Sequence, residues 1–451
     1  MLPTLTALQE SLASGQLTSL DLTQAALARI DDASGEGARA FTRVYHDQAR
    51  AAAQASDILR AAGLARSPIE GLPISIKDLF DVAGETTLAG STVLKAAPAA
   101  AGSAVVVRRL LGAGAVLVGK TNMTEFAFSG LGLNPHYGTP ASPWDRAAGR
   151  IPGGSSSGAG VSVADGMSVA AIGTDTGGSV RIPSAFCGLA GFKPTARRVP
   201  GQGALPLSFS LDSIGPLAAS VSCCATLDAI LSGQPLRPDP APDPARLRFA
   251  VPASLVLDGA DHHVSTVFQH TLREIRRLGA QVDTVDFPEF QQLAHINRLG
   301  GLVCAEAWAW HKDLLQDHAA QYDPRVASRI ARGKDMSAAD YIELTQARPE
   351  WIAAVQARLR HYDALLMPTV PVIAPTIQSL QASDEAYFKA NALILRNPTL
   401  INFLDGCALS IPCHPEGAAP VGLTIAGPAM RDAHILRVGR ALESALGPSR
   451  A

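Results

Sequence analysis

Three segments of this 451-residue sequence bring side chains of catalytic type together with backbones free to turn sharply. The first, Pro73-Ile-Ser-Ile-Lys77-Asp78, sets a lysine at the end of an apolar strand. Desolvation there disfavours the ammonium form and prepares a neutral amine to act as a base near pH 7. A surface lysine, or one paired with Asp78 or Asp81, is the other reading of the same residue. The second, Gly153-Gly-Ser155-Ser-Ser-Gly158-Ala-Gly160, supplies a hydroxyl that can pass a proton, or equally a surface loop or a helix start. The third, Gly173-Thr-Asp-Thr-Gly-Gly-Ser179-Val-Arg-Ile-Pro183, offers successive N–H groups able to converge on one oxygen beside a serine hydroxyl. That is the form of an oxyanion hole with its nucleophile, although a helix-capping turn has the same composition. Each segment is a weak signal alone. Together they are not weak.

Two other motifs mislead. Gly114-Ala-Val-Leu-Val-Gly119-Lys120-Thr121 spells a phosphate-binding loop, but Ala-Val-Leu-Val favours a strand whose amides are committed to a sheet. Gly154-Ser-Ser156-Ser-Gly158 spells a nucleophile elbow, yet Ile151-Pro152-Gly153 is a poor strand exit, and no later histidine sits in an obvious catalytic loop.

The elements that must position these residues follow from hydrophobic periodicity. Leu5 to Asp31 reads as two amphipathic helices broken at Gly15, with Thr18–Ser19 as a cap, and Ala40 to Ala62 continues as alanine-rich helix. Gly71 to Phe80 alternates like a strand, Val105 to Gly112 is helical, and Ala115 to Val118 is a short buried strand. Helix and strand keep alternating, which favours an α/β layered architecture with a mainly parallel or mixed sheet. A Pro-rich stretch over 232–247 reads as a surface connection, followed by strands at 247–251 and 281–285 and a helix at 264–278. Residues 290 to 360 are largely helical, and strands ending in proline are expected at Ala364 to Pro368 and Ala408 to Pro412.

Bulk properties narrow the class. Hydrophobic residues at 47% and charged residues at 17% suit a chain with a large buried core, and a net charge of -2 gives nucleic acid no reason to bind. Six scattered cysteines without a C-x-x-C pair read as buried free thiols in a reducing compartment. The N-terminus lacks the pattern of a secretory signal, and no apolar run reaches spanning length, so a cytoplasmic protein without a membrane role is expected.

In this order and spacing, the three segments resemble the amidase signature family of Ser–Ser–Lys hydrolases. Ser155 lies 24 residues before Ser179, as the family's relay serine does before its nucleophile, and Lys77 lies upstream where the family keeps its lysine. The stretches Ala113 to Ala127, Phe186 to Thr195 and Pro420 to Gly427 are similar to family segments too, which accounts for the false phosphate loop. The likeness is strong over 65–220, patchier over 360–430 and slight over 230–350.

The resemblance implies one large domain with a central mixed sheet flanked by helices on both faces. It divides into an N-terminal helical segment (1–62), a catalytic core (65–220), the 232–247 connection and the remainder with the pocket cover (248–451). It also implies that Ser179 is the nucleophile, that Ser155, after a cis Gly154–Ser155 bond, relays its proton, and that Lys77 is the base. Backbone N–H groups of Thr176, Gly177, Gly178 and Ser179 would hold the oxyanion. No metal and no organic cofactor is required. Arg181 is placed either beside the pocket or in an ion pair with Asp175.

By family position, Phe126, Phe128, Ser129, Gly130 and Leu131 line the acyl pocket, which suits a neutral, partly apolar acyl group. The helices around Trp308 to His311 and Tyr341 to Trp351 are expected to cover the leaving-group side. Small amides, aryl amides or carbamates are the expected substrates, with ester cleavage as a side activity. The alternative is the glutamine-hydrolysing A-type component of a tRNA-dependent amidotransferase, although Lys77-Asp-Leu-Phe and Thr87-Leu-Ala-Gly-Ser91 depart from the pattern of such components. A monomer or a homodimer fits equally.

Overall fold

The apolar strand that ends in Lys77 lies inside a sheet of eleven strands in a computed structural model that describes residues 2–236 and 239–447. In chain order the strands are β1 (Phe41–Val44), β2 (Pro73–Lys77), β3 (Val116–Thr121), β4 (Ala170–Thr174), β5 (Ala190–Lys193) and β6 (Ile214–Ala218), followed by β7 (Arg248–Pro252), β8 (Gln281–Val285), β9 (Ala364–Pro368), β10 (Cys407–Pro412) and β11 (Gly422–Gly427). Their spatial order is β1-β3-β2-β4-β6-β5-β10-β11-β9-β7-β8. β2 is parallel to both β3 and β4, and β7 is parallel to β8 and β9; the remaining pairings are antiparallel. The chain forms one domain built on this mixed sheet.

Both faces of the inner strands are covered, so they read as continuous apolar runs rather than as an apolar-polar alternation. Along β3, Leu117 enters one core cluster while Val116 and Val118 enter another. The helix Ser157–Ala164 packs on β4, Val221–Ser232 on β5 and β6, and Asp432–Leu446 on β10 and β11. Leu5, Leu8 and Leu12 fasten the first helix to the main core, and Thr18 caps the second helix through a reciprocal contact with Asp21.

The false phosphate loop is strand β3, with Lys120 buried in it. One element differs from expectation. Residues 41–44, assigned to helix by their alanine-rich flanks, form the edge strand β1 paired with β3. Phe-Thr-Arg-Val has the β-branched and aromatic character of a strand, but four residues are too few for periodicity to register. The Pro-rich stretch lies between the helix Val221–Ser232 and β7, and its carbonyls at Asp239 and Pro240 accept hydrogen bonds from Arg440 and Arg437. Arg237 and Pro238 within it lie outside the described residues. The six cysteines are free, five of them buried. Among the described residues, no helix is long and apolar enough to cross a membrane.

Candidate active site

Parallel pairing brings the C-terminal ends of β2 and β4 to the same edge of the sheet, and the antiparallel β6 begins there as well. Lys77 and Thr174 close two of these strands, and Asp212 stands two residues before the third. Ligands of open α/β sheets commonly bind at such an edge.

Three lysines are buried in strands of this sheet, and their partners separate them. Lys120 lies 3.1 Å from the Asp78 carboxylate. Lys193 donates to the carbonyls of Pro194 and Gly406, both at 2.7 Å. Lys77, fully buried, donates only to hydroxyls, Ser155 Oγ at 2.7 Å and Thr174 Oγ1 at 2.8 Å. Burial brings its pKa down to about 7, with Asp212 and then Asp175 pulling it back up. An amine in contact with a serine hydroxyl, and half neutral near pH 7, can accept that hydroxyl's proton.

Ser155 follows a cis peptide bond with Gly154. Its turn is fixed by backbone contacts on both sides, from Gly154 N–H to Gly130 O at 2.8 Å and from Thr124 N–H to Ser155 O at 3.0 Å. The next residue, Ser156, donates its N–H to Ser179 O at 3.3 Å, which joins the second glycine-rich segment to the third.

Asp175 organises the Ser179 turn from within. Its carboxylate accepts from the N–H groups of Gly178 (2.9 Å), Val180 (3.2 Å) and Arg181 (3.3 Å), and from Asn402 Nδ2 (2.9 Å). Arg181 adds a two-pronged contact through Nε at 3.0 Å and Nη2 at 2.9 Å. Burial pushes this carboxyl up, and the Arg181 guanidinium overturns that effect and holds it well below the usual carboxylate range. Gly178 adopts φ +124°, and a Cβ there would come within 2.6 Å of Pro398 and 2.7 Å of Ile182, so only glycine fits the turn.

Ser179 opens onto a cavity of about 200 Å³ whose wall includes Thr176, Gly177, Phe128 and Ser129. Of the residues expected to line an acyl pocket, Phe128 and Ser129 lie on this wall. Gly130 is not on the wall; its N–H, with the Ser129 hydroxyl, is bound to Asn391 Oδ1 at 2.9 Å. Phe126 packs instead against Trp310, His311 and Tyr322, and Leu131 is core. Arg181 is not on the wall either: its Nε and Nη2 are taken by Asp175, Asn402 and the Pro398 carbonyl in a fully buried pair, while its buried Nη1 has no hydrogen-bond partner among the described residues. The Gly178 N–H, one of the four expected to hold an oxyanion, is likewise taken by Asp175.

The cover differs from expectation too. The cavity is closed by residues 297 to 304, Arg329 and Arg332, whereas Trp351 is core and Thr345, Arg348 and Ile352 line a second, larger cavity of about 950 Å³. That second cavity reaches the Lys77 side of the site at Thr174 and Asp212. Arg329 is the finding that sequence reasoning missed. Its guanidinium lies over the Phe128 ring at 4.4 Å and donates to the Phe128 carbonyl, and among the described residues no carboxylate pairs with it. Nothing distinguished it in the sequence from the other arginines of an amphipathic helix, Pro324–Ala331.

A buried lysine, the Ser155 turn and the glycine-rich Ser179 turn thus meet at one edge of a mixed sheet, and proteins similar in sequence and fold make the chain an enzyme acting on C–N bonds. The sequence model of the family described as Amidase matches residues 21–436, and the chain belongs to this amidase signature family. It is 36% identical to a 2-amino-5-chloromuconic acid deaminase of Comamonas testosteroni, over 90% of this chain and 88% of that one. It is 33% identical to the A-type component of a glutamyl-tRNA(Gln) amidotransferase of Chloroflexus aggregans, over 98% of this chain and 96% of the relative. A crystal structure of an amidase superposes with a TM-score of 0.89 at 33% identity, covering 99% of this chain and 100% of the other.

Proposed function

We propose that the protein hydrolyses small amides that carry a carboxylate, with carbamates and activated esters as secondary substrates, through an acyl-enzyme on Ser179. The observation that carries the reaction is Lys77 in hydrogen-bond contact with Ser155 Oγ, while Ser179, whose carbonyl is tied to the Ser156 N–H, stands on the cavity wall. In this reading neutral Lys77 takes the Ser155 proton while Ser155 takes that of Ser179, and the Ser179 oxygen attacks the carbonyl carbon. The N–H groups of Thr176, Gly177 and Ser179 stabilise the oxyanion. The proton returns through Ser155 to the leaving nitrogen, the C–N bond breaks, and water repeats the sequence to release the acid.

The carboxylate follows from Arg329 and Arg332. Two guanidiniums at the mouth of a small, largely apolar cavity, without acidic partners among the described residues, favour an anionic group over the neutral one that Phe128 alone would suit. An acid also stands in the name of the muconic acid deaminase relative.

A second reading is the glutamine-hydrolysing component of an amidotransferase. It is favoured by the full-length likeness to such a component and by the same arginines, which suit the carboxylate of glutamine. The test is hydrolysis of a matched panel by wild type and Ser179→Ala: an aryl amide with and without a carboxylate, an aryl carbamate, an aryl ester and glutamine. Turnover of the carboxylated amide that disappears in Ser179→Ala supports the first reading. Turnover of glutamine alone supports the second, and hydrolysis surviving in the variant removes Ser179 as nucleophile.

A further inference from the structure

The catalytic scheme just proposed leaves a half-buried acid at the same sheet edge, Asp212, unused. Asp212 precedes β6 and lies on the floor of the larger cavity, beside Thr174, the second hydroxyl held by Lys77. Its two oxygens are fixed from opposite directions. Oδ1 accepts the Thr176 hydroxyl at 2.5 Å, and Oδ2 accepts the N–H groups of Leu207 at 2.9 Å and Ser208 at 3.1 Å. Among the described residues Asp212 makes no ion pair, so no cation is closed on its charge, unlike the two other acids near β2. Asp175 is closed off by Arg181, with Lys193 behind it, and Asp78 is closed off by Lys120.

We propose that Asp212 is a positioning residue of the reaction: its carboxylate sustains the basicity of Lys77 and, through Thr176, locks that charge to the turn that carries Ser179. The inference rests on the Ser179–Ser155–Lys77 reading and adds what makes its base strong enough. A lysine stripped of water and given only hydroxyl partners becomes a feeble base, and a base too weak takes a serine proton slowly. One fixed negative charge nearby restores part of the lost proton affinity. Among the acids acting on Lys77, Asp212 is the stronger, ahead of Asp175. Burial raises the Asp212 carboxyl to about 6, with Thr176, Leu207 and Ser208 opposing the rise, so the charge is present where Lys77 works.

The other charged groups around the pair are accounted for. Glu306 is separated from Asp212 by Ser208, which gives its N–H to Asp212 and its hydroxyl to Glu306; Glu306 accepts from Ser208 Oγ and Ser210 Oγ at 2.5 Å. Arg348 on the cavity wall is spent on the carbonyls of Phe403, Ser210 and Asn402, and Arg197 on the same wall is paired with Asp405. None of these offers Lys77 an alternative counter-charge.

Asp212→Asn tests the idea, because an amide keeps the contacts to Leu207 and Ser208 and can donate to Thr176 Oγ1, so that chiefly the charge is lost. Hydrolysis needs neutral Lys77, so kcat/KM rises with pH through the lysine's pKa and then levels off. Without the carboxylate the ammonium is less favoured. The acid limb is expected to move to lower pH by about one unit, and the plateau to fall by about tenfold because the base is weaker. Asp212→Glu, which keeps a charge, should leave the limb near its wild-type position. A merely structural role would lower the plateau and leave the limb where it was, and that result overturns the proposal.

Should Asp212→Asn not fold, Thr176→Val keeps the acid but removes its hydroxyl donor, so the negative charge arrives at higher pH. A limb shifted the same way by a smaller amount supports the proposal, and an unmoved limb counts against it. Lys77→Ala separates the two levels of argument. Hydrolysis surviving there defeats the Ser–Ser–Lys reading itself, whereas hydrolysis lost there with an unmoved limb in Asp212→Asn defeats only the role of Asp212.

Discussion

The turns at the sheet edge and the helical cover over residues 290–360 are built on opposite plans. At the edge, Asp175 alone organises six contacts from its own turn and from Asn402. In the cover, aromatic side chains do the packing, with Phe126, Trp310, His311 and Tyr322 in one cluster, and Arg329 and Arg332 face the cavity without acidic partners among the described residues. The contrast shows a division of labour. Polar groups fixed by hydrogen bonds hold a turn in one geometry, whereas guanidiniums without a carboxylate partner keep the capacity to take an anionic group.

The largest expected effect lies on the rigid side. Ser179→Ala should lower kcat/KM for the carboxylated amide by ~10⁴-fold or more, read in steady-state assays, while unfolding is unchanged. Activity retained within tenfold would mean that the edge is scaffold rather than machinery. Next, Arg181→Ala leaves the Asp175 carboxylate buried and unpaired, and should cost about 3–5 kcal/mol in denaturant unfolding. A loss no larger than that of a surface arginine would contradict this description of the turn.

On the cover side, Arg329→Gln should raise KM for the carboxylated amide by about 10- to 100-fold, with a far smaller change for the neutral amide. Equal losses on both would make Arg329 a packing residue of Phe128 and erase the contrast. The smallest effect is expected from Tyr322→Phe, which removes the 3.0 Å contact between its hydroxyl and His311 Nδ1. A loss of about 1 kcal/mol in denaturant unfolding is expected, with kinetics unaltered.

The same contrast explains what could be read in the sequence. Lys77, Ser155 and Ser179 were legible because a rigid turn needs glycines and prolines at fixed places, and those leave a pattern in consecutive residues. The fold was legible for a similar reason, since inner strands of a doubly covered sheet are short apolar runs. Arg181 was ambiguous because its partner, Asp175, and its site of burial sit in the same motif as the pocket residues. Asp212 and Arg329 left no trace. Each acts through a neighbour supplied by another part of the chain, and a lone Asp in Ser-Leu-Asp-Ser or a lone Arg on a helix has no local signature. The strand β1 was lost to its length, and the cover residues because packing, not spacing, decides which helix face meets a cavity.

The tie from Arg181 to Asn402 and to the Pro398 carbonyl spans 221 and 217 positions of chain. During synthesis, Lys77, Ser155 and Ser179 have all emerged long before those anchors exist. A growing chain thus carries its full set of reactive groups while the turn bearing Ser179 still lacks the support of its distant partners. The full support of that turn therefore waits on residues near position 400.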